Sequence, residues 1–251
     1  MNTVSVSHVE SAPSPSRRTI DAPTRAFHWL LALSFVGAYA SAESERWRLV
    51  HMTLGYTMLG LMGFRLVWFL MGPRPARWQA WRARWQAGKQ AVVALASGTV
   101  RLPPLQSALQ TLVLLAVLAL SVLAPLSGHA LDQEWWGDAL EDLHEAAGEA
   151  LLMLVLLHLA VVAVGAWVRS HNPLRMMVTG KVPGAGPDLV PRNRAWLGAL
   201  LLVAVLAFWW TQWQSAPNAS GPLDQIEWRE SSTGTGHQAT GRRHHHDDDD
   251  D

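Results

Sequence analysis

The sequence predicts an all-α membrane protein with five transmembrane helices, the fifth at the C-terminal end. Three observations lead there. Apolar residues, 49% of the chain, gather in five runs, each close to the ~20 residues that a spanning helix needs. Fourteen tryptophans stand against two tyrosines, and tryptophan favours the membrane–water boundary. Within one apolar run lie two histidines, His144 and His158, and ionisable side chains at membrane depth are costly and usually functional.

Composition narrows the chemistry. The 251 residues carry 20 basic and 20 acidic side chains, which gives no case for nucleic-acid binding. There is no cysteine, so disulfides, Cys-ligated iron–sulfur clusters and covalent c-type haem are excluded. Histidine is left as the obvious metal ligand.

Taken in order, residues 1–24 are rich in Ser, Pro and Thr and read as a disordered tail without a signal-peptide pattern. The first span is 26–42, with His28 at its start. The second is 49–71, with His51 at its start and Arg65 near its end, and Gly72-Pro73-Arg74-Pro75 stops it. In 74–90, Trp78, Trp81 and Trp85 repeat at helical spacing among Arg77, Arg82, Arg84 and Lys89, which predicts an amphipathic helix lying on lipid headgroups. The third span, 105–126, has no charge and no histidine and is expected to end at Pro125 and Ser127-Gly128. An acidic loop, 128–142, precedes the fourth span, 143–168. A basic loop, 169–194, leads through a linker to the fifth helix, so that 183–213 is linker plus span. Residues 214–251 form a polar tail ending in His244–His246 and five aspartates, with incidental metal affinity.

Basic residues concentrate in the N-terminal tail and in loops 72–104 and 169–194. The positive-inside rule then places the N-terminus in the cytoplasm and the C-terminal tail outside. This orientation sorts the histidines by depth: His28 and His158 at the inner level, His51 and His144 at the outer. His144 and His158 are fourteen residues apart, close to four turns, so they share a face and are separated by about 21 Å along the helix. A pair of neutral imidazoles on one iron is how a low-spin b-type haem is held. The simplest pairing is His28 with His158 and His51 with His144, giving two haem b groups. Gly55 and Gly148 each follow an outer histidine by four residues, which leaves space where a flat macrocycle needs it. Zinc would want four ligands at one level. A proton relay would want carboxylates in the membrane core, and it is set aside for lack of them.

Arg65, fourteen residues after His51, falls at the inner level. It reads either as a partner for a haem propionate or quinone carbonyl or as a side chain snorkelling to headgroups. Arg25 and Arg175 could serve in the same way. His171 and His129 read as loop histidines, and Asp132, Glu134, Asp138, Glu141 and Asp142 as either a solvated loop or a docking face for a basic electron-transfer partner.

Three segments together resemble the bacterial cytochrome b561 family. They are Pro23-Thr24-Arg25-Ala26-Phe27-His28-Trp29, the run His51-Met52-Thr53-Leu54-Gly55-Tyr56 with Arg65, and Leu143-His144-Glu145-Ala146-Ala147-Gly148 with His158. His171-Asn172-Pro173-Leu174-Arg175 is similar to the loop after that span in the cytochrome b subunits of nickel–iron hydrogenases. The resemblance covers 20–182. It implies a four-helix transmembrane haem-binding bundle over 25–182 holding two b haems on the four histidines, with the fifth, C-terminal transmembrane helix added to it. It also implies a bacterial inner membrane with the C-terminus in the periplasm, and a respiratory role exchanging electrons between the quinone pool and a periplasmic redox partner such as a c-type cytochrome or hydrogenase. Whether the chain is an electron-transfer protein or a quinone-linked oxidoreductase subunit stays open, as does a homodimer. Two other readings are carried: a superoxide:quinone oxidoreductase, which the acidic outer loops oppose, and a non-redox membrane metal-binding or assembly subunit working through its tail.

Overall fold

Asp21 starts the first long helix, α1 (Ala22–Ser41). Its carboxylate accepts from the Thr24 amide at 3.3 Å, and Pro23 sits in the first turn, where a missing N–H costs nothing. The second Asp21 oxygen accepts from the Trp68 indole at 3.2 Å, so this buried cap also ties α1 to α2 (Arg48–Met71). At the far end of α1 the Ala42 amide turns to the Tyr39 carbonyl. The Ala38 carbonyl thereby loses its regular amide donor.

The computed structural model describes residues 15–97, 102–135, 137–169 and 173–215. After α1 and α2 come α3 (Trp78–Ala96), α4 (Leu102–Asp132), α5 (Asp138–Arg169), α6 (Pro173–Thr179) and α7 (Ala195–Gln214). Among the described residues, four helical stretches are long and apolar enough to cross a membrane: Glu45–Met71, Ala108–Asp132, Asp138–Trp167 and Ala195–Gln214. The first expected span, α1, has the length, at 20 residues, but Thr24, Arg25, His28, Ser34 and Ser41 dilute its apolar content.

Helix α1 packs along α2, and α4 along α5, with α2 against α4 joining the two hairpins. A methyl group at Gly37 would lie 2.6 Å from Leu54 Cδ1, so glycine lets α1 and α2 approach closely there. One buried cluster joins Phe27 and Leu30 of α1, Leu61 and Met62 of α2 and Val205 of α7. A second joins Phe35, Met58 and Leu151 of α1, α2 and α5. The Trp209 indole donates to Thr57 Oγ1 at 2.8 Å, and that hydroxyl donates to the Thr53 carbonyl. The compact unit extends to Trp210.

The structure differs from the sequence expectation at several ends. Residues 16–18, expected inside the tail, form β1 (Ser16–Arg18), antiparallel to β2 (Lys181–Pro183) with Arg17 opposite Val182. Helix α4 continues through Pro125 to Asp132. A proline inside a packed membrane helix is tolerated because neighbouring groups satisfy the carbonyl it leaves without a donor. Helix α5 starts at Asp138, five residues before the expected span, with Asp138 and Glu141 in its first turn, where acidic side chains suit the helix dipole. Helix α3 runs past residue 90 to Ala96. The tail from 216 onwards lies outside the described residues.

Leu61 is 1% exposed at the centre of the first cluster. Leu61→Ala should lower stability by about 2–4 kcal/mol through the cavity it leaves, read as an earlier unfolding midpoint of the detergent-solubilised protein.

Candidate metal and cofactor site

His51 comes from the first turn of α2 and His144 from the second turn of α5. Their ring centroids lie 5.9 Å apart with planes at 85°. Each Nδ1 is anchored to a backbone carbonyl. His51 Nδ1 lies 2.8 Å from the Ala38 carbonyl, the one left over at the end of α1. His144 Nδ1 lies 2.8 Å from the Ala124 carbonyl and 3.3 Å from Ser127 Oγ. A carbonyl can only accept, so both Nδ1 atoms carry the proton. In the neutral rings Nε2 is then the free lone pair, which is how metal-binding imidazoles are oriented. The separation accommodates one metal ion, since two metal–nitrogen bonds of about 2 Å plus two ring radii span it.

Around this pair is a cavity of ≈ 550 Å³, within the size range of cofactor sites. Phe35, Met58 and Leu151 close its floor, and Gly55 and Gly148 form part of its walls. A methyl group at Gly148 would meet nothing within 4 Å, and one at Gly55 only Pro125 at 4.0 Å, so both open onto space. Gly128 is different: a methyl group there would lie 2.8 Å from His144 Cε1. Its bare backbone lets the imidazole lie against α4. No periodicity or motif marks Gly128 as special, because its role depends on a neighbour from another helix.

The rim is polar. Glu43, Arg48, Asp132, Glu141 and Glu145 line it, with Arg48 and Asp132 paired at 3.4 Å. Tyr56 OH lies 3.0 Å from His129 Nδ1, and the His129 ring meets Trp135 edge-on at 6.1 Å. His129, expected in a solvated loop, thus belongs to the wall of the cavity. A second correction concerns the core carboxylates expected to be absent. Glu145 and Glu149 both fall within the expected span 143–168 and line this cavity. The apolar average of that run hides them.

The other two histidines sit at the opposite level. His28 and His158 are half-buried and within electrostatic reach of each other. Both Nδ1 atoms are buried without a hydrogen-bond partner among the described residues. The half-buried Arg65 guanidinium lies 5.9 Å over the ring of Phe27, the neighbour of His28 in sequence. Arg25 is engaged elsewhere: it donates to the Val178 carbonyl of α6 and to Asn193 Oδ1 at 3.5 Å, fastening α1 to α6 and to the segment after it. Arg175 is exposed on α6. His171 and His244–His246 lie outside the described residues.

Residues 19–180 match the family model described as prokaryotic cytochrome b561. The chain belongs to the prokaryotic cytochrome b561 family. No curated protein and no solved structure matches it. Membership makes it a membrane b-type cytochrome of electron transfer, and the residues fit such a group. Facing imidazoles with fixed tautomers, a cavity of suitable size and two glycine-lined walls stand together at one level. The b-type haem supplies one-electron redox chemistry when bound; His51 and His144 would hold it, over an apolar floor of Phe35, Met58 and Leu151.

Gly128→Ala should push His144 off α4 and lower the haem bound per chain, as measured by the pyridine haemochrome of purified protein. Retention of the wild-type haem content would contradict the role given to Gly128.

Proposed function

We propose that this protein is a di-haem cytochrome that carries electrons across the membrane between the quinone pool and a periplasmic redox partner. The observation that carries the reading is the pair His51 and His144, edge to face with ring centroids 5.9 Å apart and both Nδ1 protons held by backbone carbonyls. His51 and His144 would hold one haem iron, and His28 and His158 the second. The two buried, unpartnered Nδ1 atoms of the second pair support it, since a buried polar nitrogen without a partner is costly in an apolar surrounding.

The topology proposed with it has five spans, α1, α2, α4, α5 and α7, with the N-terminus in the cytoplasm and the C-terminus in the periplasm. The basic residues Arg17, Arg18, Arg175, Lys181, Arg192 and Arg194 then fall on the cytoplasmic side. Arg65, at the level of His28, is the proposed partner of a propionate or a quinone carbonyl, because a half-buried guanidinium favours a carboxylate or carbonyl oxygen. The carboxylates around the other cavity would repel an anion such as superoxide, which disfavours an enzyme acting on that substrate. They suit a basic protein partner such as a c-type cytochrome.

The purified protein should show b-type bands in a reduced-minus-oxidised spectrum, become reduced on adding a hydroquinone, and be reoxidised by a basic c-type cytochrome. Failure of the hydroquinone to reduce it would falsify the quinone half of the proposal. His158→Ala should remove one haem of two and leave the signal of the other. His51→Ala should remove the complementary one, and retention of both haems in either variant would refute the pairing.

A further inference from the structure

Phe35, Met58 and Leu151 form one buried cluster drawn from three helices, and their positions along those helices share one rule. Phe35 stands seven residues after His28, and Met58 seven after His51. Leu151 stands seven from both His144 and His158. Seven residues are close to two helical turns, about 10.5 Å, so the three side chains meet midway between the two histidine levels. They are 8%, 3% and 2% exposed. Leu31 of α1 and Val117 and Leu120 of α4 pack against them. All four bundle helices therefore close on one another at this level, while the cavity of His51 and His144 opens directly above it, with these three residues as its floor.

This layer has a physical consequence. A buried water needs two to four polar partners, and apolar voids of side-chain size stay dry. The Phe, Met, Leu and Val side chains of this layer offer no such partners. Beside them the Thr57 hydroxyl is already engaged, and the buried Ser34 hydroxyl is a single polar group, short of the two to four that a water needs.

We propose that the Phe35–Met58–Leu151 layer is a water-excluding septum between the two cofactor levels, across which electrons pass while protons do not follow. The proposal rests on the two-haem reading above. Nothing moves through the septum except an electron; no bond forms or breaks there, and each electron leaving one level arrives at the other. If protons could follow, electron transfer across the membrane would separate no charge. At the septum the two levels are joined by packed apolar side chains instead of an open cavity.

The test uses holoprotein reconstituted into phosphatidylcholine vesicles holding an internal pH dye, with passive proton flux followed after an external pH step. Wild-type vesicles should relax at the rate of protein-free vesicles. Leu151→Asn, matched in side-chain heavy-atom count, and Met58→Gln, matched in side-chain length, are polar and should relax several-fold faster, while Leu151→Met should match the wild type. A leak in the wild type overturns the proposal, as does an Asn or Gln variant with full haem content and no added flux. Should both polar variants fail to load haem, the wild type still decides. Met58 should be oxidised by a water-soluble oxidant several-fold more slowly than Met52, which lines the same cavity, and equal oxidation by mass spectrometry rejects the septum. Absence of b-type bands from the wild type would instead overturn the two-haem reading, and the flux and Met58 measurements would still stand as tests of the septum.

Discussion

Two hydrogen bonds from imidazole Nδ1 atoms to main-chain carbonyls set the geometry on which the rest depends. The carbonyl that receives His51 is available because α1 ends in a tightened turn at Ala42. The carbonyl that receives His144 lies on α4 beside Pro125. Each bond fixes one ring's tautomer and orientation and also binds two helices together: α1 to α2 in the first case, α4 to α5 in the second. These are the two hairpins of the bundle. The same contacts that assemble it therefore aim the imidazoles into the space between its halves.

That space persists because of how the helices share their contacts. Helix α5 packs along α4 and meets α1 and α2 chiefly through the layer around Leu151. Above that layer the walls are glycine, histidine and the polar rim. Lipid cannot drive helices together as water does, since its tails are as apolar as the side chains. A bundle can hold an internal gap for a cofactor when the flanking contacts are good, and Gly37 against Leu54, Trp209 to Thr57 and the Asp21 cap supply such contacts. The Asp21 cap was not singled out from the sequence, because an acidic residue before Pro23 reads as a turn until Trp68 is found beside it.

Much of the architecture was legible in the chain. The apolar runs located the long helices, and the direction in which each run crosses the membrane grouped the histidines by depth. The spacing of His144 and His158 gave the distance between the two levels, because helical rise converts residue number into distance. Motifs carried the family. The ends were misjudged by five or more residues at α4 and α5, since Pro125 and the acidic stretch 138–142 look like breaks to a reading of local propensity. The strand β1 was invisible because three residues of strand have no signature without the partner strand β2, which is more than 160 residues away. Glu145 and Glu149 were overlooked inside a run judged by its average, and His129 was assigned to solvent because its partner Tyr56 lies on another helix.

The sequence by itself determined what depends on one helix at a time: length, apolarity, the face a residue occupies and its depth relative to another residue on the same helix. It therefore reached membrane helices, the absence of cysteine chemistry and two levels of histidine. The tertiary structure decided what depends on two helices meeting. The 5.9 Å approach of His51 and His144, the protonated Nδ1 atoms, the room that Gly128 leaves for His144 and the closure of Phe35, Met58 and Leu151 into one layer belong to this class. The reason is geometric: periodicity fixes the direction of a side chain about its own helix axis, while the distance between two such axes is set by packing.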